Sequence, residues 1–191
     1  NNAILTSEQN ITDFSIFLAY EFETSSVRSW IIATGLLIFC FFLPLQCYII
    51  GNNWGGGVQG AMFRYQMTSE GNSLITLPHE IEYITFGIYT GRTALSVILW
   101  TLGTLVLVCT AILSLVSWNN IPPRSLRLIV IGIAGSCILY LASCICQYGL
   151  FFSGPAGISL PLGAIIMAMF AAFLNFYPDV FIEPNTRPSE N

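Results

Sequence analysis

Residues 94–118 read ALSVILWTLGTLVLVCTAILSLVSW, an apolar segment without a single Asp, Glu, Lys, Arg or His. Three further apolar segments cover residues 30–50, 127–152 and 158–177, and no charged side chain lies in their interiors. An apolar helix of about 20 residues is long enough to cross a bilayer core about 30 Å thick. The pattern therefore predicts an integral membrane protein with four transmembrane helices.

The bulk composition agrees with a membrane protein. The 191 residues are 54% hydrophobic and 8% charged, whereas soluble domains carry about 25% charged residues. The net charge is −4 and the chain has no Lys, so it lacks the basic surface that nucleic-acid binding needs. Because the four segments take up most of the length, we expect residues 1–191 to form a single domain.

The arginines indicate how the chain is oriented. With four spans, one side of the membrane carries both termini and four arginines: Arg28, Arg124, Arg127 and Arg187. The other side carries Arg64 and Arg92. Because Lys and Arg are enriched on the cytoplasmic side, both termini are predicted to be cytoplasmic, with the plasma membrane as the expected location. The glycosylation sequon at Asn10 opposes this orientation, since it is usable only on the lumenal side.

This topology divides the chain into segments. Residues 1–28 form a cytoplasmic N-terminal segment, in which residues 13–22 have the pattern of a short helix. Residues 51–92 form the only sizeable external loop, and residues 178–191 form a polar, proline-rich cytoplasmic tail.

The external loop has the pattern of β-strands. Apolar and aromatic residues occupy every second position in one stretch: Ala61, Phe63, Tyr65 and Met67. This period of two predicts a strand, and residues 73–77 and 81–88 are also rich in β-branched and aromatic side chains. The predicted fold class is all-α transmembrane, a four-helix bundle with a small β-rich loop on its external end.

Two features of the spans bear on helix packing. Pro44 lies within the first segment and predicts a kink, because proline removes a backbone hydrogen bond. Ala164, Ala168 and Ala172 lie four residues apart in the last segment. Such small residues let helices approach closely in lipid, either within the bundle or against a partner helix.

Groups with catalytic chemistry are sparse. Ion-coupled transporters and intramembrane enzymes normally keep ionisable groups within their spans, and this chain has none there. No phosphate-binding loop, nucleophile elbow or zinc-protease motif occurs. His79, Glu80 and Glu82 are close in sequence, but a strand would place His79 opposite the two carboxylates. We therefore predict no catalytic residues, no metal site and no cofactor, and we expect the six cysteines to pack as small apolar side chains.

The layout resembles the claudin-like superfamily of four-span membrane proteins. Trp54 is similar to the tryptophan in that family's first loop, and residues 91–95 (GRTAL) resemble its Arg-Ala-Leu step into the second span. The segment from Ser153 to Gly163 is similar to its short second loop and glycine-containing fourth span. The loop lacks the family's Gly-Leu-Trp step and its disulfide-bonded cysteine pair. The resemblance implies an auxiliary or adhesive role beside a larger channel, receptor or enzyme.

The residues themselves favour the same class of function. The chain is predicted to be a non-catalytic subunit of a larger membrane-protein complex, in contact with lipids and with no soluble small-molecule substrate. A self-assembling adhesion or barrier protein and a small oligomeric channel are the alternatives. Because aromatic side chains anchor interfaces, the first candidates for partner contact are Trp54, Phe63, Tyr65 and Tyr83. The second candidates are Ala164, Ala168 and Ala172.

Overall fold

The computed structural model describes residues 30–51, 54–117 and 121–181. The predicted N-terminal segment 1–28, with its helix over residues 13–22, lies outside these residues, and so does the tail beyond residue 181.

The described residues form five helices and six strands. The helices are α1 (Trp30–Phe41), α2 (Leu77–Thr85), α3 (Gly91–Val116), α4 (Pro123–Tyr148) and α5 (Leu162–Phe176). The strands are β1 (Gln46–Ile50), β2 (Gly55–Gln59), β3 (Phe63–Thr68), β4 (Gly71–Thr76), β5 (Ser153–Gly154) and β6 (Gly157–Leu160). A short 3-10 turn over Pro178–Val180 follows α5.

One antiparallel sheet joins the six strands in the order β4-β3-β2-β1-β6-β5. The prediction of an all-α four-helix bundle is therefore wrong, and the fold is a mixed one of helices and antiparallel sheet. The strands predicted around residues 61–67 and 73–77 are confirmed as β3 and β4. The sheet extends beyond the loop because β1 pairs on its other side with β6, which lies in the connection between α4 and α5. This pairing satisfies backbone groups that a short isolated loop would leave open.

Among the described residues, two helices are long and apolar enough to cross a membrane. They are α3 and α4, each of 26 residues, with mean hydropathies of 2.3 and 2.4. The other two apolar helices, α1 and α5, are shorter. The prediction of a helix is thus confirmed along most of segments 94–118 and 127–152, whereas segments 30–50 and 158–177 are only partly helical.

The first apolar segment changes from helix to strand near Pro44. Helix α1 ends at Phe41 and β1 begins at Gln46, so Pro44 lies in the link between them. The predicted kink within a helix is wrong. The physical reason is that proline cannot donate the hydrogen bond that a continuing helix needs. The chain instead continues as a strand, and the Leu45 amide donates to the carbonyl of Gln59 at 2.7 Å.

Helices α3 and α4 pack against each other over most of their lengths. Near the sheet, the hydroxyls of Ser96 and Ser143 lie 2.9 Å apart, and both side chains are buried. Further along, Gly132 faces Thr110 so closely that a methyl group at Gly132 would collide with the threonine side chain. Small residues at the contact allow this close approach.

Helix α5 packs between α1 and α4. The ring of Phe170 meets Phe39 of α1 edge-on, with ring centroids 5.3 Å apart, and also lies against Gly35. On the other side, the thiol of Cys137 in α4 donates to the carbonyl of Ala164, 3.1 Å away. The six cysteines are all free.

The stretch predicted as a third loop strand is a helix. Helix α2 begins directly after β4, with Pro78 in its first turn. Proline is well tolerated there because the first amides of a helix have no partner inside it. Helical geometry places His79 and Glu82 on the same face, and their Nδ1 and Oε2 atoms lie 3.0 Å apart. The expected opposition of His79 and Glu82 on a strand is therefore wrong.

Candidate partner-binding surface

Side chains of one face of the sheet point toward the helices, and we call this the inner face. Successive residues of a strand point to opposite faces, and the pairing aligns Gln46, Gln59 and Arg64 across three neighbouring strands. These three side chains are between 2% and 6% exposed. This row of the inner face is therefore buried and polar.

An ion pair lies at the centre of the inner face. Arg64 of β3 and Glu80 of α2 approach to 3.0 Å between Nη1 and Oε1, and both side chains are buried. The guanidinium also donates two hydrogen bonds to Oε1 of Gln59, at 3.2 and 2.9 Å. It lies over the rings of Tyr48 and Trp100, with its Cζ 5.9 and 5.4 Å from their centroids. Such cation–aromatic contacts offset part of the cost of burying the charge.

The pKa of Glu80 reflects this burial. Removal from water raises the pKa of the Glu80 carboxyl above its usual 4.5, and the nearby Arg64 charge lowers it only in part. Burial also raises the pKa of the Tyr89 hydroxyl, and the neighbouring Glu80 charge adds to the shift. The net direction shows that desolvation outweighs the attraction of the arginine for the carboxylate.

Gln46 connects the sheet to α4. Its amide nitrogen donates to Oε1 of Gln59 at 2.6 Å, and its own Oε1 accepts from the Cys144 thiol at 2.6 Å and the Ser159 hydroxyl at 2.9 Å. Since every one of these side chains is buried, the bonds form a continuous polar contact between β1, β2, β6 and α4.

The turn between β2 and β3 is attached to α3. The indole Nε1 of Trp100 donates to the carbonyl of Gly60 at 3.1 Å, and the hydroxyl of Thr104 donates to the carbonyl of Ala61 at 2.8 Å. Trp100 is fully buried. The sheet is thus held on the helices by polar contacts from three helices: α2, α3 and α4.

The opposite face of the sheet, the outer face, is apolar. One cross-strand row consists of Leu160, Cys47, Val58, Tyr65 and Leu74. The adjacent row consists of Ile158, Ile49, Gly56, Met67 and Asn72. Neither row contains a charged residue.

The outer face is also exposed within this chain. Between 53% and 64% of the surface of each of its large aliphatic side chains is accessible: Ile49, Met67, Leu74, Ile158 and Leu160. In an antiparallel sheet with one face in water, the apolar face normally packs on the core. Here the polar face is buried and the apolar face is open. Contiguous exposed apolar surface of this kind marks a contact site for protein or membrane.

Of the four predicted aromatic contacts, only some lie on this surface. Tyr65 belongs to the outer face, and Phe63 points the same way at the start of β3, where its ring lies against Gly60. Trp54 lies in the turn before β2 and is 59% exposed. Tyr83 is on α2, in ring contact with His79 and Tyr89, and so lies apart from the outer face.

The three predicted alanines have different surroundings. Ala164 is buried against α4, whereas Ala168 and Ala172 are exposed and line a groove between α4 and α5. The structure therefore places Ala164 in the packing of the fold and leaves the other two accessible.

Sequence reasoning missed most of the outer face and all of the ion pair. Ile49, Ile158 and Leu160 sit in segments that were assigned to spans. Arg64 and Glu80 lie in the predicted external loop, and no local pattern there pairs the two residues. The period of two in β3 is the signal that could have indicated the buried position of Arg64. It places Arg64 on the other face of the sheet from its neighbours Phe63 and Tyr65.

The described residues contain no group of three or more His, Cys, Asp and Glu side chains arranged to hold a metal ion. No protein-family model matches the chain, and no curated protein matches it either. The open apolar face of the sheet is suited to binding another molecule through surface contact.

Proposed function

We propose that the chain is a non-catalytic membrane protein that crosses the bilayer four times and binds a larger membrane-protein complex through the outer face of its sheet. The observation that carries this proposal is the reversed polarity of the sheet: a polar face buried on the helices and an apolar, uncharged face left open.

The helices also support a membrane location. Their inner positions include small polar residues that are buried: Ser96, Thr104, Thr110, Ser114, Ser136 and Ser143. Their outward positions carry large apolar side chains that are exposed, such as Leu105, Ile112, Ile131, Ile138 and Met169. Small residues at helix contacts and apolar residues outside are typical of helices packed in lipid. Helices α1 and α5 are short for a span, but each continues through an apolar link toward the sheet.

The arginine distribution supports an orientation. Arg124 and Arg127 lie at the end of α4 that is distant from the sheet, which favours a cytoplasmic location for that end. Both termini are then cytoplasmic, and the sheet lies outside, in our proposal at the plasma membrane.

The partner is proposed to be a larger channel, receptor or enzyme of the same membrane. The sheet packs against the side of α3, where Trp100 and Thr104 hold the β2–β3 turn, so a protein contacting the outer face would lie beside this chain. The resemblance to the claudin-like superfamily supports an auxiliary role of this kind.

A second candidate, self-assembly into an adhesion or barrier structure, is favoured by the edge of the sheet. Strand β4 is an edge strand of the sheet, and residues Gly71–Thr76 contain no charge and no proline. Natural edge strands usually carry such features to prevent pairing with another chain.

The test is co-purification of the tagged full chain in a mild detergent, comparing variants of the outer face. The double variant Ile49→Lys/Met67→Lys should reduce the amount of a stoichiometric partner about tenfold or more, as charges at an interface centre do. Phe86→Lys is the matched control, because Phe86 is 76% exposed in the turn after α2 and outside the outer rows. Both variants should keep the thermal midpoint of the parent.

The outcomes separate the candidates. A different protein that is retained by the parent and the Phe86 variant, and lost by the outer-face variant, supports the auxiliary role. A second, differently tagged copy of this chain as the retained species supports self-assembly. Equal retention by all three proteins would refute a binding role for the outer face.

A further inference from the structure

A groove runs along the contact between α4 and α5, starting at the end distant from the sheet. It consists of two neighbouring depressions of about 470 and 350 Å³ that share Val130 and Asn175 in their walls. The first depression opens between Arg127 of α4 and Pro178, just after α5.

The half of the groove that lies nearer the sheet is apolar. Its walls include Ala134 and Ile138 of α4 and Ala168 and Ala172 of α5. The alanines create the trough because their short side chains leave space between the two helix axes. Since Ala168 and Ala172 are exposed, the trough is open along its side to whatever surrounds the helices.

The other end of the groove is cationic. Arg127 lines it together with the amide of Asn175, and Arg124 lies one turn earlier on α4. Arg127 is exposed and makes no ion pair within the described parts of the chain. Its guanidinium is therefore available to an anion, and it presents donors in a planar fork that matches phosphate oxygens.

The spacing of these two halves matches an amphipathic molecule. Ile138 follows Arg127 by eleven residues, which corresponds to about 16 Å along a helix that rises about 1.5 Å per residue. If the proposed membrane location holds, Arg127 lies near the cytoplasmic headgroup layer and Ile138 lies within the hydrocarbon core. That leaflet is rich in anionic lipids, and basic pockets between transmembrane helices bind their headgroups.

We propose that the groove between α4 and α5 binds one anionic phospholipid. Its phosphate is held by Arg127 and Asn175, and one acyl chain lies along the trough formed by Ala134, Ala168 and Ala172. The site rests on the proposed function only in requiring a membrane around the helices, and it is separate from the sheet. The charge at the end of the groove distinguishes this occupant from an apolar partner helix, which would gain nothing from an arginine that has no ion pair among the described residues.

Native mass spectrometry of the delipidated full chain tests the site. The protein is mixed in detergent with dioleoyl phosphatidylglycerol or with dioleoyl phosphatidylcholine, and bound lipid is counted. The parent should bind one phosphatidylglycerol about fivefold more tightly than phosphatidylcholine, as expected for one arginine at an anionic group. Arg127→Gln should abolish this preference and Arg127→Lys should retain most of it. Arg92→Gln is the matched control, since Arg92 is exposed at the start of α3 on the sheet side.

Two further measurements test whether the acyl chain lies in the trough. Ala172→Leu fills the trough and should weaken the binding of both lipids, whereas Met169→Leu alters an exposed neighbour on α5 that does not line the groove and should not. Soluble glycerol phosphate should fail to displace phosphatidylglycerol, because it has no acyl chain for the trough. Displacement by glycerol phosphate would mean that the site binds free phosphate esters and would overturn the proposal.

The remaining outcomes are equally decisive. Equal binding of the two lipids by the parent, or an unchanged preference in Arg127→Gln, would overturn the headgroup site. If Ala172→Leu instead released a co-purifying protein without changing lipid binding, the groove would be a helix-docking site. Alkaline extraction of membranes separates this result from the proposed function: a chain that stays in the pellet but shows no lipid preference refutes the lipid site alone.

Discussion

The inner face of the sheet carries Arg64 and Gln59 at 6% and 3% exposure, whereas Ile49 and Met67 on the outer face are each 54% exposed. The two faces are built from alternate residues of the same strands. This difference means that the sheet is attached to the helices largely by hydrogen bonds and an ion pair, whereas most antiparallel sheets are attached by apolar packing.

Such an attachment is specific because buried polar groups are costly when unpaired. Arg64, Glu80, Gln59 and Gln46 have each other as partners only in one register of the strands. A slip of one residue in β3 would carry Arg64 to the outer face and break its contacts with Glu80 and Gln59. The apolar face is then free for contacts outside the chain.

The largest effect is expected when one half of the buried ion pair is removed. Arg64→Met should lower the free energy of unfolding by about 3–5 kcal/mol, because Glu80 is left buried without its partner and must either carry an uncompensated charge or take up a proton. Chemical unfolding of the purified protein in detergent measures the loss. The double variant Arg64→Met/Glu80→Leu should regain most of it, since no buried charge remains.

Arg92→Met is the control for this prediction, because Arg92 is exposed and its replacement should cost less than about 0.5 kcal/mol. A loss below about 1 kcal/mol for Arg64→Met would indicate that the inner face does not hold the sheet.

A smaller loss is expected at the polar contact with α4. Gln46→Leu should lower the free energy of unfolding by about 1–3 kcal/mol, because Cys144, Ser159 and Gln59 lose their shared partner in a buried site. Cys47→Ala, the adjacent residue on the outer face, is the comparison and should cost less. If the two substitutions had equal effects, the polarity of the faces would not matter to stability.

The pH dependence of stability should reveal the charge on Glu80. Burial raises the pKa of Glu80 in the folded chain above its usual 4.5, so the folded state favours the protonated carboxyl. The contribution of Glu80 to the stability of the folded chain is therefore greatest below about pH 4.5, and it is lost as the pH rises through the pKa of Glu80 in the folded state. Compared with Glu80→Gln, the parent should lose relative stability over that rise.

Thermal midpoints of both proteins, measured in detergent between pH 4 and 8, provide the comparison. The other carboxyls are common to both proteins, so they cancel in the difference. If the thermal midpoint of the parent increased relative to that of the glutamine variant as the pH rose, the attraction of Arg64 for the carboxylate would outweigh desolvation at this site.

Part of this contrast could be predicted from the sequence. The period of two in residues 61–67 correctly indicates strand β3, and the long apolar segments correctly indicate helices α3 and α4. These elements are predictable because each carries its signal within its own residues. The uncharged faces of the helices could be read in the same way.

The remaining elements depend on partners that the sequence does not reveal. Residues 46–50 form a short apolar run, which periodicity alone cannot assign to a helix or a strand; pairing with β2 and β6 makes it a strand. Residues 81–85 have β-branched and aromatic side chains, yet Pro78 in the first turn and burial of Glu80 favour helix α2. The outer face is assembled by register across five strands, so no local pattern predicts it.

The smallest effect on stability is expected on the outer face itself. Ile49→Thr and Met67→Gln should each change the free energy of unfolding by about 0.5 kcal/mol or less, because both side chains are half-exposed and pack little within this chain. Both replacements keep the strand and the charge, so the unfolding curves of the purified protein isolate the apolar contribution of the face. If either cost as much as Gln46→Leu, the outer face would be part of this chain's own core. A small cost together with loss of the co-purifying partner would instead mean that these apolar side chains contribute to binding the partner and not to the stability of this chain.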